Sequence, residues 1–382
     1  MFKFFLFLYL LTFCLCLTSY ALYPIIIWVS GKIFPFKVRQ AEIKPTLSII
    51  IPAFNEAKDI EKKISNTLAL YYPREKMEIL IGSDGSTDDT AAAVKKYGGK
   101  GITFVEFQVN RGKTAVQNDL VSLSKGEVLI FTDAASFLKE DALVNIVRNF
   151  ADQRVGCVGG KMLFVDDRSN ITIQSQGLYW TYESKIRALE SSLGRLIGVD
   201  GPLYGVRRDC YIPLGKHIIS DLIVPLLVLK QGKKVVLEPE ALVFENPTRE
   251  SEQELATRRR ITLRGLVSLL AHSELLNPLR FPLLSGQICF HKILRWFVGP
   301  LVLLNGLACV FLSSNRIFTT ILVFYCFFVV ASVAGWILDH FGMRNRILAV
   351  PYYFTLVNLA ATLGLLDFIR NKRATTWMPT RE

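Results

Sequence analysis

Four stretches of the chain, residues 4–31, 296–315, 317–338 and 347–366, hold no Asp, Glu, Lys, Arg or His over 28, 20, 22 and 20 residues. A helix needs ~20 such residues to cross a bilayer. Between the first two stretches the hydrophobic positions change period. Leu47–Phe54 reads as a buried strand and Glu56–Leu70 as a helix with apolar residues near helical spacing. Met77–Gly82 is a second strand, and Ser86-Thr87-Asp88-Asp89 resembles a capping box opening a helix over 87–97. Ile102–Phe107 is a third strand, 112–124 a helix and Glu127–Thr132 a fourth strand. Val155–Val165 and Lys234–Val243 add strands, and a helix runs over 222–231. Such alternation predicts an α/β domain with a mostly parallel sheet covered by helices. Ligands in these sheets bind beyond the carboxyl ends of the strands, which points to Asn55, Asp84 and Asp133. Two amphipathic stretches, 261–276 and 281–294, are expected to lie on a membrane surface.

Composition sharpens this picture. The 382 residues are 51% hydrophobic and 20% charged, with mean hydropathy +0.32 and net charge +12. That is too apolar for one soluble globule, and it excludes disorder and a secreted disulfide scaffold. Cys14, Cys16, Cys309 and Cys326 lie in the apolar runs, Cys289 just before one, and only Cys157 and Cys210 in the polar domain. The sequence has neither a CxxC pair nor a Cys/His metal spacing, so zinc is not expected. The positive charge comes without a nucleic-acid recognition motif, so no nucleic-acid partner is expected. Ionisable residues are missing from the interiors of the apolar runs, which disfavours a transporter.

The N-terminal run contains a cleavage-like Ser19-Tyr20-Ala21 but continues apolar through Ile25, Ile26, Ile27 and Trp28. Lys32, Lys37, Arg39 and Lys44 follow. The expectation is an uncleaved anchor over 1–31 that holds the polar domain in the cytoplasm. Residues 32–260 are expected to form the polar domain, 261–295 the interfacial helices and 296–382 the C-terminal transmembrane helices and basic tail. Three C-terminal spans would carry Arg370, Lys372 and Arg373 to the far side, against the positive-inside rule. Either one segment is re-entrant or the rule fails here.

Several residues carry chemistry. Asp84 and Asp133 converge on one crevice, where a carboxylate can accept a base N–H, hold a hard divalent cation or act as a turn former. Lys113, in NRGKTAVQN (110–118), lies near a helix N-terminus, where a phosphate is favoured. Asp221 sits between Ile218-Ile219 and Leu222-Ile223-Val224, and desolvation there raises its pKa and suits it to general-base work. Arg258, Arg259 and Arg260 can clamp a diphosphate or form a basic membrane-surface face.

Taken in order, IIIPAFNEA (49–57), SDGSTDDT (83–90), NRGK (110–113), FTDA (131–134), Ser220-Asp221, RRRI (258–261) and HKILRW (291–296) resemble the family 2 glycosyltransferases, in the membrane-embedded polysaccharide-synthase-like branch. The resemblance covers about residues 47–296. It implies a GT-A catalytic domain and inverting transfer from a nucleotide-diphosphate sugar, with a UDP-sugar the first guess. It further implies a carbohydrate or lipid-linked acceptor, membrane lipid as a partner, and Mg²⁺ or Mn²⁺ as cofactor. Asp221 would be the general base. Asn55, Glu56, Asp84, Lys113, Asp133, Arg258 and Arg260 would bind the nucleotide sugar, Asp133 also the ion, and Trp180, Tyr182 and Tyr204 the acceptor. The sequence departs from the family pattern in three places. Ala135 replaces the second carboxylate of the DxD pair, Ser220 replaces the acid before the base, and Thr257 and Ile261 replace the Gln and Trp of QxxRW. These departures keep single-sugar transfer to a lipid, and a catalytically inactive partner subunit, open as alternatives.

Overall fold

The computed structural model describes residues 1–99, 101–164, 171–246, 251–343 and 345–372. Helices α1 (Phe2–Leu17) and α2 (Tyr23–Ile33) form one rod through a π-helical turn at Thr18–Leu22. The α/β domain follows as β1 (Leu47–Ala53), α3 (Ile60–Leu68), β2 (Met77–Asp84), α4 (Thr90–Lys95), β3 (Ile102–Phe107), α5 (Lys113–Leu123), β4 (Val128–Phe131), β5 (Phe137–Leu138), α6 (Ala142–Val147), β6 (Val155–Phe164), α7 (Ile171–Ser192), β7 (Tyr204–Arg207), α8 (Ser220–Lys230) and β8 (Lys234–Glu245). Helix α9 (Ser251–Ala271) leads to α10 (Pro282–Gln287), which runs through a π-helical turn at Ile288–Ile293 into α11 (Leu294–Phe311). Helices α12 (Arg316–His340) and α13 (Arg346–Ile369) close the described chain.

The eight strands form one sheet in the order β3-β2-β1-β4-β7-β6-β8-β5. The first four are mutually parallel, β7 is antiparallel to both β4 and β6, β6 and β8 run parallel, and β5 is antiparallel to β8. Strand β1 is buried along its whole length, as expected of a strand with helices on both faces. Its side chains alternate between two cores. Ile49 and Ile51 join the helices α3, α4 and α6 on one face, and Ile50 meets α5 and α8 on the other.

The predicted strands stand with ends shifted by a residue or two. The helix after the SDGSTDDT segment starts at Thr90 rather than 87, because Asp88 binds the amide of Thr90 (3.1 Å) and that of Ala57 (3.0 Å) in a turn. Helix α9 starts ten residues before the expected 261. The stretch 281–294 is not a separate surface helix: it is the first half of a continuous helix from Pro282 to Phe311. Among the described residues, four helical rods are long and apolar enough to cross a membrane, Phe2–Ile33, Pro282–Phe311, Arg316–His340 and Arg346–Ile369.

Candidate active site

The site lies beyond the carboxyl ends of β1, β2 and β4, where parallel strands leave backbone and side chains pointing into one crevice. Asn55, just after β1, adopts φ 53° and accepts the amide of Thr87 on its Oδ1 at 2.8 Å, tying the turns after β1 and β2 together. The amide of Glu56 donates to Thr90 Oγ1 at 2.8 Å. Asp84 ends β2 fully buried, and its two oxygens accept the amides of Arg111 and Gly112, each at 2.8 Å. Gly112 takes φ 95°, a left-handed value that glycine tolerates. This turn starts α5 at Lys113, whose ammonium reaches Asp133 Oδ1 at 2.5 Å.

Asp221 stands in the first turn of α8, partly buried. Helix α8 begins at Ser220, two residues before the expected 222, and its N-cap is Ile219 and not Asp221. Burial pushes its carboxyl up and the nearby Asp133 charge adds to this, against the pull of Lys113 and Arg264. Gly201 separates the groups. A Cβ there would lie 2.9 Å from Asp221 Oδ2 and 3.5 Å from Lys113 Nζ, so the missing side chain keeps open the space that both groups face. The Gly201 loop is fixed by the buried Arg187–Asp200 ion pair (2.5 Å) and by the Val199 amide on the Asp221 carbonyl (3.0 Å).

Three helices meet around Asp221. Thr114 of α5 donates to the Ile218 carbonyl at 2.7 Å, and the Ile219 amide donates to Ser268 Oγ of α9 at 2.9 Å. Arg264 of α9 reaches the Ile218 carbonyl at 3.5 Å. Burial, then the neighbouring Arg264 charge, holds the Arg260 guanidinium below its ordinary value. Lys113 and Arg264, which both act on the Asp221 carboxyl, suit a polyanionic ligand. Arg264 was not singled out in the sequence, although its i+4 spacing from Arg260 puts both on one helix face.

Lys63 was also missed. It is fully buried beneath the Asp133 loop and donates to Thr132 Oγ1 (2.8 Å) and the Ser136 carbonyl (2.6 Å). Burial pulls its ammonium down to about 7, although Asp133 and Glu245 pull the other way. No sequence signal marks it, because a lysine in an amphipathic helix reads as solvated.

Other expected residues lie elsewhere. Arg258 donates to Glu254 at 2.8 Å and stacks on Tyr179 with its carbon 4.5 Å from the ring centre, and the α9 arginine whose charge acts on Asp221 is Arg264, with Arg260 next to it. The expectation that Tyr204 lines an acceptor site is corrected. Its ring is wholly buried and stacks on Phe131 at 4.7 Å within the sheet core, where no sugar can reach it. Tyr182 donates to the Tyr20 carbonyl at 2.8 Å and so joins α7 to the N-terminal rod. Trp180, half-buried, packs edge-on against Phe164 at 5.7 Å.

Among the described residues no three His, Cys, Asp or Glu side chains gather as metal ligands. A divalent ion carried in with phosphates needs only one or two protein carboxylates. Asp133 supplies one, and the donor set fits such an ion once Lys113 moves off that oxygen.

Residues 48–211 match the model of glycosyl transferase family 2, a match that ends ten residues before Asp221. The chain is 26% identical over 247 residues to the poly-beta-1,6-N-acetyl-D-glucosamine synthase of Staphylococcus aureus, and 27% identical over 247 residues to that of Staphylococcus epidermidis. Each alignment takes in 60% of this chain and 59% of the relative, so the chain spans well under two thirds of those proteins' length. A mannosyltransferase from Pyrobaculum calidifontis, solved with GDP-Man and Mn²⁺, superposes with a TM-score of 0.73 at 20% identity, covering 96% of this chain and 100% of that one. The sheet and its helices are a GT-A fold, and residues 48–211 within it match the model of glycosyl transferase family 2.

Proposed function

We propose that the protein transfers a sugar, with inversion, from a nucleoside diphosphate sugar to a glycan acceptor at a membrane, with the catalytic domain in the cytoplasm. The observation that carries this reading is the Asp133–Lys113–Gly201–Asp221 arrangement, a carboxylate of raised pKa facing a cationic, open space beyond the strands. Asp221 takes the proton of the acceptor hydroxyl. The acceptor oxygen attacks the anomeric carbon while the bond to the diphosphate breaks on the opposite face, its electron pair leaving with the phosphate. Lys113, Arg260 and Arg264 offset the charge that develops there. Asp133 would hold a divalent ion, which supplies further positive charge to the phosphates when bound. Asp84 keeps the Lys113 turn in place and is the candidate for reading the base.

The staphylococcal relatives' name makes UDP-N-acetylglucosamine the first donor to test, and a growing polysaccharide the first acceptor. A second reading, single-sugar transfer to a membrane lipid, is favoured by Thr257 and Ile261 at the altered QxxRW and by the commitment of Arg258 to Glu254. Solubilised protein with labelled UDP-sugars and a divalent ion distinguishes them, with Asp221→Asn as control. Asp221-dependent label in polymer supports the first reading, and label in the organic-extractable fraction the second. Full turnover by Asp221→Asn would discard the mechanism.

A further inference from the structure

The packing of α13 differs from that of the other three apolar rods. Of its apolar stretch 44% is buried in the protein, against 11%, 22% and 11% for Phe2–Ile33, Pro282–Phe311 and Arg316–His340. Part of its cover is α9, which carries Glu252, Glu254, Arg258, Arg259, Arg260 and Arg264 and is far too charged for hydrocarbon. The two helices run side by side in the same direction. Leu255 packs against the Ala349, Tyr352 and Leu356 cluster, and Tyr353 donates to Glu254 at 2.5 Å. Further along, a Cβ on Gly364 would lie 2.6 Å from the Arg259 carbonyl oxygen, and Arg259 donates to Asp367 at 2.8 Å. From Tyr352 to Asp367, α13 therefore stays at the depth of a polar helix.

The other rods share an end remote from the domain. Phe5 stacks on Phe311 at 4.1 Å, Tyr9 meets Phe318 at 5.1 Å, and Asn305 bonds both the Tyr9 carbonyl (2.9 Å) and Tyr325 (2.8 Å). Their domain-side end is marked by Arg295 on Glu183 at 2.5 Å and by Asp339 of α12, which accepts from Tyr352 at 3.2 Å. Helix α13 meets them from that second end as far as the middle of α12, with Thr362 beside Gly299 and Phe354 near Phe328 (5.7 Å) and Tyr20 (6.1 Å). Its outward face, with Ile347, Leu359, Leu366 and Ile369, is exposed and apolar. Arg346 flanks it at one end, Arg370 and Lys372 at the other.

We propose that α13 does not cross the membrane. It lies in the membrane surface on the catalytic domain's side, with its apolar stripe in the acyl chains of that leaflet and its flanking cations at anionic headgroups. The chain then crosses three times, through α1–α2, α11 and α12, and the basic tail ends on the domain's side. This removes the conflict of Arg370, Lys372 and Arg373 with the positive-inside rule. The inference rests on those three rods crossing, and not on the transfer reaction.

Three full-length versions test it, each with one epitope: in the domain turn at Gly232, in the α11–α12 turn at Ser314, or after Glu382. Accessibility is read in sealed membrane vesicles before and after permeabilisation. The expected result places the Gly232 and Glu382 epitopes on one side and the Ser314 epitope on the other. The Glu382 epitope siding with Ser314 would overturn the proposal. All three on one side would overturn the crossing of α11 and α12, and the inference with it, while leaving the transfer assay untouched. A fluorophore on Leu359→Cys adds a depth reading. Stronger quenching by headgroup-proximal than by mid-bilayer nitroxide lipids is expected, and the reverse would place α13 across the bilayer.

Discussion

At the residue scale the proposed chemistry rests on Asp221. Its raised pKa means the folded state holds the proton more tightly than the unfolded chain. The stability it contributes is complete below the unfolded value of ~3.9 and is lost as pH rises through the folded value. Asp221→Asn should therefore melt above wild type at neutral pH, with the gap closing below about pH 4. The same variant should lose ~10²–10⁴-fold in kcat while retaining donor binding, as measured by calorimetry. Wild-type kcat should climb with pH as Asp221 ionises. Gly201→Ala tests the open space between Asp221 and Lys113. Its methyl would lie 2.9 Å from the Asp221 oxygen, so activity should fall by ~10²-fold with an unchanged circular dichroism spectrum.

At the scale of elements, the Asp133 loop hangs on helix α3 through Lys63. Lys63→Met removes the donor to Thr132 and to the Ser136 carbonyl, leaving both without that partner. It should cost about 1–3 kcal/mol in stability. Because Asp133 rides on this loop, the donor KM should rise more than kcat falls, and steady-state kinetics with varied donor would show the opposite if the lysine served folding alone. The strands and the crevice beyond them were legible because a buried parallel strand is a short apolar run and the candidate polar residues follow it. The helix boundaries were less so. Asp88 captures the Thr90 and Ala57 amides, and a tertiary turn of this kind overrides the capping pattern read locally.

Over the whole molecule, a buried charge cluster joins the helical rods to the domain. His291, wholly buried, sits between Glu190 (2.6 Å) and Glu183 (3.0 Å) of α7, and Lys292 and Arg295 add contacts to Glu183. Tyr23 of the N-terminal rod donates to the same Glu190 carboxylate. Removing the ring strands a carboxylate in a dry interface, so His291→Ala should cost ~3–5 kcal/mol, seen as a lower melting temperature of the solubilised protein. HKILRW marked His291, Lys292 and Arg295 in the sequence, but nothing local tied them to Glu183 and Glu190 about a hundred residues earlier, or Glu190 to Tyr23.

The sequence by itself determined the membrane runs, the α/β order and the residues Asn55, Asp84, Lys113, Asp133 and Asp221, because hydrophobic periodicity and strand-end polarity are local properties. Only the tertiary structure decided which arginines approach Asp221, that Tyr204 is core, and that Gly201 and Lys63 shape the site. It also set α13 against α9. Uncharged length says that a helix can enter a bilayer, but its depth depends on the neighbour it packs against, and that neighbour is charged.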